Sequence, residues 1–238
     1  IIARHNATHS VVELSGNRQV EIRNMMILGG SRIGVRIATE LQNSVNVKLV
    51  DYNSDKAYRL AEMLDKTLII NEDGRDTEAM LEEDLSGMDA FVAVTGRSET
   101  NILAAMLAKR MGVKKVIAEV ENLEYIKLAE RMGVDAVVNK KLITAGRIFK
   151  FTLSNKVRFI KYMSGTKAEV LEYIVSPGSA ITKNTLMNTN FPKNAIIGGV
   201  IRGNESFIAV GDTHIQAYDR VAVFALPEAV KEVDKFFK

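Results

Sequence analysis

An alternation of short apolar runs and amphipathic segments over residues 25–138 limits the possible folds more than any other feature of the chain. Met25–Leu28 is an apolar run that ends in a glycine turn, and Ile33, Ile37 and Leu41 then recur every four residues. A continuous apolar run is typical of a buried strand, and the four-residue spacing places those side chains on one face of a helix. The region therefore begins with a strand, a turn and a helix.

The same alternation continues along the chain. Further strands are expected at 45–50, 67–70, 90–94, 115–120 and 136–138, with helices at 56–64, 77–83, 99–111 and 123–132 between them. Strands that alternate regularly with helices form a parallel sheet with helices on both faces. The sequence predicts an α/β fold, a Rossmann-like doubly wound parallel sheet.

The pattern changes after about residue 140. One more helix is expected at 140–154, and then short strands at 170–175, 195–201, 207–210 and 220–225 before an amphipathic helix at 227–237. Pro177, Pro192 and Pro227 are the three prolines of the chain, and all lie in this last third. We therefore expect a second, smaller α+β domain at 154–238 after a first domain at 25–153.

Composition excludes several classes of protein. The 238 residues include no Cys, which excludes disulfides, Cys-ligated zinc and thiol catalysis. The net charge of +3 is spread along the chain, because basic and acidic residues alternate, so no nucleic-acid partner is expected. No apolar run approaches the roughly 18–20 residues of a membrane span, and no secretory signal is visible. We expect a soluble, cytosolic protein without a metal site.

The first 24 residues, from Ile1 to Asn24, show no clear periodicity, and the chain starts with Ile in place of Met. We interpret this stretch as a leader or linker from a longer polypeptide.

The first strand-to-helix turn reads Gly29-Gly30-Ser31-Arg32-Ile33-Gly34. Dinucleotide-binding folds carry G-x-G-x-x-G here, because the chain must turn tightly and approach a pyrophosphate closely. The position of the middle glycine is occupied by Ser31 in this chain. The hydroxyl of a serine can donate a hydrogen bond to a phosphate oxygen. The N-terminus of the following helix suits an anion, and Arg32 either adds a charge or is only solvated.

Polar residues follow the later strands. Asp51 ends the second strand, 22 residues after Gly29, where a carboxylate accepts hydrogen bonds from ribose hydroxyls and repels a 2′-phosphate. Asp73-Gly74 and Thr95-Gly96 end the third and fourth strands, at the edge where open α/β sheets bind ligands. The pattern favours NAD(H), with ATP or ADP as an alternative, over NADP.

These motifs resemble a known family. The segments MMILGGSRIG, LVDYN, NEDGRD and, above all, AVTGRSETNILAAMLAKRMGVKKVIAEVEN are similar to the regulator-of-potassium-conductance (RCK, or TrkA-N) domain. The segments LEYIVSPGSAITKNTL, GGVIRGNE and AVGDTHIQAYDRV resemble the companion TrkA-C domain. The whole chain resembles one half, the second, of tandem proteins that regulate potassium uptake.

The resemblance implies a nucleotide in a cleft formed by Gly29, Gly30, Ser31, Arg32, Ile33, Gly34, Asp51, Asp73, Gly74, Thr95, Gly96 and Glu119. It also implies a cytosolic regulatory subunit that forms dimers or rings and gates a membrane-embedded, TrkH-like potassium channel or transporter at the inner face of the cell membrane. Two further positions depart from the family pattern: Glu119 stands where several relatives have a basic residue, and Tyr218 stands where a glycine is usual.

Two other classes of function stay open. A dehydrogenase would need an acid–base group beside the nicotinamide, but His5, His9 and His214 all lie outside the nucleotide fold. Tyr52 and Lys56 have a Y-x-x-x-K spacing, yet they follow the second strand, at the adenosine end of the expected ligand. An NAD-dependent oxidoreductase nevertheless stays the main alternative to a regulatory subunit. An interaction protein with an inactive cleft is the third possible function. We expect binding without catalysis.

Overall fold

A computed structural model of the chain describes residues 21–152, 157–162 and 168–238. These fall into two compact units, one that ends at Lys140 and one from Lys141 to Lys238. The domain boundary expected near residue 153 stays a prediction, because residues 153–156 lie outside the described part. The leader also lies outside it, apart from its last four residues.

The first unit contains six parallel strands and the helices between them. In chain order the elements are β1 (Asn24–Leu28), α1 (Arg32–Leu41), β2 (Asn46–Val50), α2 (Ser54–Met63), β3 (Leu68–Ile70), α3 (Thr77–Glu82), β4 (Ala90–Ala93), α4 (Ser98–Arg110), β5 (Lys115–Glu119), α5 (Leu123–Arg131) and β6 (Ala136–Val138). The strand order is β3-β2-β1-β4-β5-β6, so β1 and β4 are neighbours at the point where the order reverses. The predicted fold class is confirmed.

The central strands β1 and β4 carry the core of this unit. Successive side chains of a strand point to opposite faces, and both faces here are covered. Met26 and Phe91 pack in the apolar cluster on one face, while Ile27 and Val92 pack in the cluster on the other. This burial explains why both strands are continuous apolar runs in the sequence.

Side-chain caps define where several helices begin. Asn53 accepts a hydrogen bond from the N–H of Lys56, Asp76 accepts those of Glu78 and Ala79, and Asn122 accepts that of Glu124. Such caps satisfy N–H groups that have no acceptor within the helix. Each helix of this kind therefore begins directly after the loop at a strand's carboxyl end.

The second unit contains an antiparallel sheet. Its elements are α6 (Lys140–Thr152), whose first residue still belongs to the first unit, β7 (Val157–Tyr162), β8 (Glu169–Ile174), β9 (Ala195–Arg202), β10 (Glu205–Phe207), β11 (Arg220–Ala225) and α7 (Val230–Phe236). The strand order is β10-β9-β11-β8-β7. Tyr173 and Phe237 are fully buried in its core and stack with ring centroids 4.1 Å apart.

Three expectations for the second unit need correction. The strand predicted at 207–210 is wrong: β10 ends at Phe207, and Val210 instead forms a turn with Thr213, whose N–H donates to the Val210 carbonyl at 2.9 Å. Ile208 is 78% exposed, so its apolar side chain is not a core signal. The strand β7 was not predicted, and the last helix opens with a 3-10 turn at Pro227–Ala229.

Within the described residues, no helix combines the length and apolar character that a membrane span requires.

Candidate functional site

The glycine turn after β1 adopts the tight conformation that its sequence predicts. Gly29 has a φ of +108° and donates its N–H to the carbonyl of Val50, 2.8 Å away. Ser31 is the N-cap of α1, and its hydroxyl accepts the N–H of Gly34 at 3.3 Å. The serine at the middle glycine position therefore has a local structural role, as a helix cap.

Close packing explains the glycines at positions 30 and 34. A Cβ on Gly34 would lie 2.1 Å from the carbonyl oxygen of Gly29. A Cβ on Gly30 would lie 2.5 Å from Cδ1 of Leu60. Backbone packing therefore requires a glycine at position 34, whereas a side chain at position 30 would displace the end of the Leu60 side chain.

The first turn of α1 presents the remaining groups of the motif. Arg32 is exposed, while Ile33 packs against the apolar core, so its part in binding is limited to its backbone. The N–H groups of the first helical turn have no acceptor within the helix, and the serine cap takes up only that of Gly34. The N–H groups of Arg32 and Ile33 are therefore available to an anion.

Asp51 lies directly after β2, and its carboxylate is 5% exposed. Its Oδ2 accepts the N–H of Gly30 at 2.8 Å and Nζ of Lys56 at 2.6 Å, while Oδ1 accepts the N–H of Asn53 at 3.0 Å. Burial by itself raises the pKa of Asp51, but these hydrogen bonds outweigh it and hold the pKa below its usual value. The group is therefore an ionised carboxylate in direct contact with the glycine turn.

Asp73 and Gly74 follow β3. Asp73 is paired with the guanidinium of Arg75, which lowers the pKa of the carboxyl. Gly74 is buried, and a Cβ there would lie 2.1 Å from Cδ1 of Leu28 at the end of β1. The loop after β3 thus packs against the strand that leads into the glycine turn.

Thr95 and Gly96 follow β4, and Thr95 is held by Asn101 of α4. The amide oxygen of Asn101 accepts both the N–H of Thr95 at 2.9 Å and its hydroxyl at 2.6 Å. A Cβ on Gly29 would lie 3.0 Å from the nitrogen of Thr95, so the loops after β1 and β4 touch. Gly96 has open space around it.

Glu119 ends β5 and is 2% exposed. Its Oε1 lies 2.6 Å from Nζ of Lys140, and this hydrogen bond raises the pKa of the lysine. The amide of Asn101 donates to the Glu119 carbonyl at 2.8 Å, which ties β5 to the loop after β4. The carboxylate is therefore already neutralised by a neighbouring cation.

The structure brings the predicted residues to one edge of the sheet, since all of them follow the carboxyl ends of parallel strands. Direct contacts join the turn to Asp51 and to the loop after β4. Four further side chains organise this edge although the sequence pattern predicts no binding role for them: Lys56, Asn71, Asn101 and Lys140. Asn71 directly follows β3, which is a usable sequence signal, and it donates to the Asp51 carbonyl at 2.9 Å. Asn101 lies in the first turn of α4 and has no such signal.

Comparison with known proteins identifies both units. Residues 25–140 match the model of the TrkA-N domain, and residues 170–238 match that of the TrkA-C domain. The chain is 33% identical, over 240 aligned positions, to the Trk system potassium uptake protein TrkA homolog 2 of Methanosarcina mazei, with 100% of this chain and 54% of that protein covered. It is 29% identical over 222 positions to TrkA of Halomonas elongata, with 92% and 49% covered. The chain spans about half the length of these relatives.

Solved structures show the same fold. The GsuK RCK domain superposes with a TM-score of 0.55 at 13% identity, over 92% of this chain and 48% of that one. The structure described as the GsuK channel bound to NAD superposes with a TM-score of 0.56 at 14% identity, over 93% and 40%. The resemblance seen in the sequence is confirmed: the chain contains a TrkA-N domain followed by a TrkA-C domain.

Proposed function

We propose that the chain is a nucleotide-binding regulatory module of a potassium-uptake system. One observation carries the proposal: the TrkA-N region has an anion-accepting turn after β1 in direct contact with an ionised carboxylate after β2. The turn suits the phosphates of a nucleotide, and the carboxylate suits its ribose. The TrkA relatives are named as potassium uptake proteins, which supports the system in which the module works.

The proposed ligand is NAD(H), with ATP or ADP as the alternative. A ligand that crosses the β1–β4 junction places its pyrophosphate on the turn and its adenosine ribose at Asp51. The loop of Asp73-Gly74 then borders the adenosine half of the ligand. The loop of Thr95-Gly96 borders the second half, which in NAD(H) carries the nicotinamide. Glu119 contacts the second half only if the Lys140 pair rearranges. A distant relative described as bound to NAD is consistent with this choice.

The proposed mechanism is a shift between conformations. A nucleotide moves a conformational equilibrium only by its difference in affinity for the two states, and about 1–3 kcal/mol is a common scale for such coupling. We propose that the module self-associates as a dimer or ring and acts on a membrane-embedded, TrkH-like potassium channel or transporter subunit. This places it in the cytoplasm, at the inner face of the cell membrane.

The Asp51→Ala variant tests the site. We expect it to fold, to bind NADH at least tenfold more weakly by calorimetry, and to abolish the effect of nucleotide on potassium transport. A tenfold loss corresponds to about 1.4 kcal/mol, a modest value for hydrogen bonds to a charged group. Asp65→Ala is the matched control, because Asp65 is an exposed carboxylate that precedes β3, at the opposite edge of the sheet. Unchanged affinity in Asp51→Ala would refute the site assignment.

We propose that the module binds without catalysis. Lys56 of the Y-x-x-x-K pair is bound to Asp51, and the Tyr52 side chain is 77% exposed, so the pair does not form a shared catalytic site in this conformation. Incubation with NADH and a panel of carbonyl substrates, followed by the absorbance of the reduced cofactor, tests this. Turnover would favour the oxidoreductase. If no adenine nucleotide raises the melting temperature, the inactive-cleft alternative stands instead.

A further inference from the structure

Lys56 lies at the adenosine end of the proposed cleft. Its Nζ is 2.6 Å from Oδ2 of Asp51, an oxygen that also accepts the N–H of Gly30. The Asp51 side chain is 5% exposed, whereas that of Lys56 is 36% exposed. The ammonium group is thus the solvent-facing partner of an otherwise buried carboxylate.

Packing against the glycine turn holds this ammonium in place. A Cβ on Gly30 would lie 3.2 Å from Cε of Lys56, so the lysine stem runs over the position where a side chain is missing. The N–H of Lys56 is bound to the Asn53 cap at 2.9 Å, which fixes the start of α2. The lysine side chain therefore packs beside the turn that suits phosphates and ends at the carboxylate that suits ribose.

The charges at this end of the cleft follow from these contacts. An unpaired carboxylate after β2 repels a phosphate on the ribose 2′ oxygen, and this repulsion is the usual basis for rejection of NADP. Here Lys56 neutralises Asp51, and in the next strand-end loop Arg75 neutralises Asp73. These four groups together carry no net charge, so the repulsion that Asp51 alone would produce is largely cancelled.

We propose that Lys56 is a specificity-determining residue that sets how strongly the site discriminates against a phosphate on the ribose 2′ oxygen. The inference rests on the proposed nucleotide site. With Lys56 present, the affinity for NADPH lies within about tenfold of that for NADH. Without Lys56, the charge of Asp51 is exposed to the 2′-phosphate, and the ratio of the two affinities moves about tenfold further in favour of NADH.

Calorimetric titration of the full chain with NADH and with NADPH tests this. In Lys56→Met we expect the ratio of the two affinities to move about tenfold in favour of NADH, and in Lys56→Arg to stay close to that of the wild type. Lys66→Met is the matched control, because Lys66 is an exposed lysine at the opposite edge of the sheet, before β3. Added salt should reduce the change in Lys56→Met, since part of it is a screened charge interaction.

The outcomes separate this inference from the proposed function. If the wild type binds NADH but not NADPH, or if Lys56→Met leaves the ratio unchanged, the role of Lys56 is overturned while the nucleotide site stands. If ADP binds and NADH does not, the equivalent ratio is measured with ADP and 2′-phospho-ADP, which differ only in the 2′-phosphate. If no adenine nucleotide binds, both proposals fail. Circular dichroism checks the fold of Lys56→Met, and Lys56→Gln replaces it if it does not fold.

Discussion

The buried polar side chains of the two units differ in where they lie. In the first unit, four of them lie at the carboxyl edge of the sheet or reach it from a helix: Asp51, Asn101, Glu119 and Asn139. In the second unit they are spread over a strand, two loops and a helix: Glu169, Ser179, Asp219 and Asp234. A parallel sheet ends all its strands at one edge, so it can gather polar groups there; an antiparallel sheet cannot. This gathering of polar groups at one edge supports the ligand site proposed for the first unit.

The units also differ in how such groups are satisfied. Asp51 and Glu119 each form a salt bridge with a lysine, Lys56 and Lys140 respectively. In the second unit, Oε2 of Glu169 and the hydroxyl of Tyr173 are buried without a hydrogen-bond partner among the described residues. Burial raises the pKa of both groups. Asp51, whose pKa is lowered, is therefore stabilised as an ion, whereas Glu169 is not.

Of the variants considered, Gly34→Ala should lower the free energy of unfolding most. We expect this destabilisation to be confined to the first unit. The new methyl would lie 2.1 Å from the carbonyl oxygen of Gly29, and such overpacking costs up to about 3 kcal/mol. Hydrogen-exchange mass spectrometry should show lower protection in residues 21–140 and unchanged protection after residue 168. Gly96→Ala is the control, with open space around the methyl and an expected change within about 0.5 kcal/mol. Equal protection in both variants would contradict the packing argument.

Asp219→Asn should have the largest effect in the second unit. The Asp219 carboxylate is 1% exposed, accepts Nε and a terminal nitrogen of Arg202 at 2.9 and 2.7 Å, and accepts the N–H of Gln216 at 2.8 Å. Loss of the charge should cost about 2 kcal/mol, because Arg202 keeps its charge without a matched partner. The hydrogen-exchange protection of β9 and β11 measures this loss of stability.

The control for this variant is Glu172→Gln, which removes a more exposed ion pair to Arg220 in the same sheet. We expect it to cost only about 0.5 kcal/mol. If the two variants were equally destabilised, burial would not be what makes the Asp219 pair important.

Glu169→Gln should stabilise the second unit by about 1 kcal/mol at pH 7, because it removes a buried carboxylate that has an unpartnered oxygen. The pKa of Glu169 is raised in the folded state, so the folded chain binds more protons, and the wild type loses stability as the pH rises from about 4 through that raised pKa. Urea unfolding at several pH values should show this slope in the wild type and not in the variant. If stability changed with pH in the same way in the wild type and in Glu169→Gln, the role of the Glu169 carboxyl would be contradicted. Glu205→Gln is the control, because the Glu205 carboxyl is exposed.

Asp89 of the first unit should show the opposite sign. Hydrogen bonds from Lys114 and from the N–H groups of Arg23 and Asn24 lower its pKa to about 2. Its contribution to stability is therefore present at neutral pH and lost as the pH falls from about 4 through 2. Asp89→Asn should flatten the acid limb of the first unit's unfolding curve, and an unchanged acid limb would contradict the assignment.

Tyr218→Gly should have the smallest effect on stability, raising the free energy of unfolding by about 0.5 kcal/mol. Tyr218 has a φ of +69° and is 74% exposed, so it adopts a left-handed conformation that glycine accepts more readily, without a buried ring to lose. Thermal unfolding of Tyr218→Gly beside Tyr218→Ala separates the backbone effect from loss of the ring. Equal melting temperatures would mean that the left-handed conformation costs nothing here.

The first unit was predictable because its strands are buried on both faces and therefore appear as apolar runs. All six expected strands and the helices between them are present, with ends that differ by one or two residues. The second unit was less predictable because its pairing is set by turns. The apolar residues Ile208 and Val210 suggested a strand, yet both are exposed and lie outside β10. The strand β7 was missed entirely.

Residue types and their order alone determined that this chain forms a parallel α/β unit, that a glycine turn follows its first strand, and that Asp51 ends its second. Only the tertiary structure decided which partners these groups have. The N–H of Gly30 reaches Asp51, 21 positions after it, and Lys140 reaches Glu119, 21 positions before it, because the fold brings separate strand ends together. Local patterns encode burial and turns, but the neighbours of a charge depend on strand order, and strand order is a property of the folded sheet.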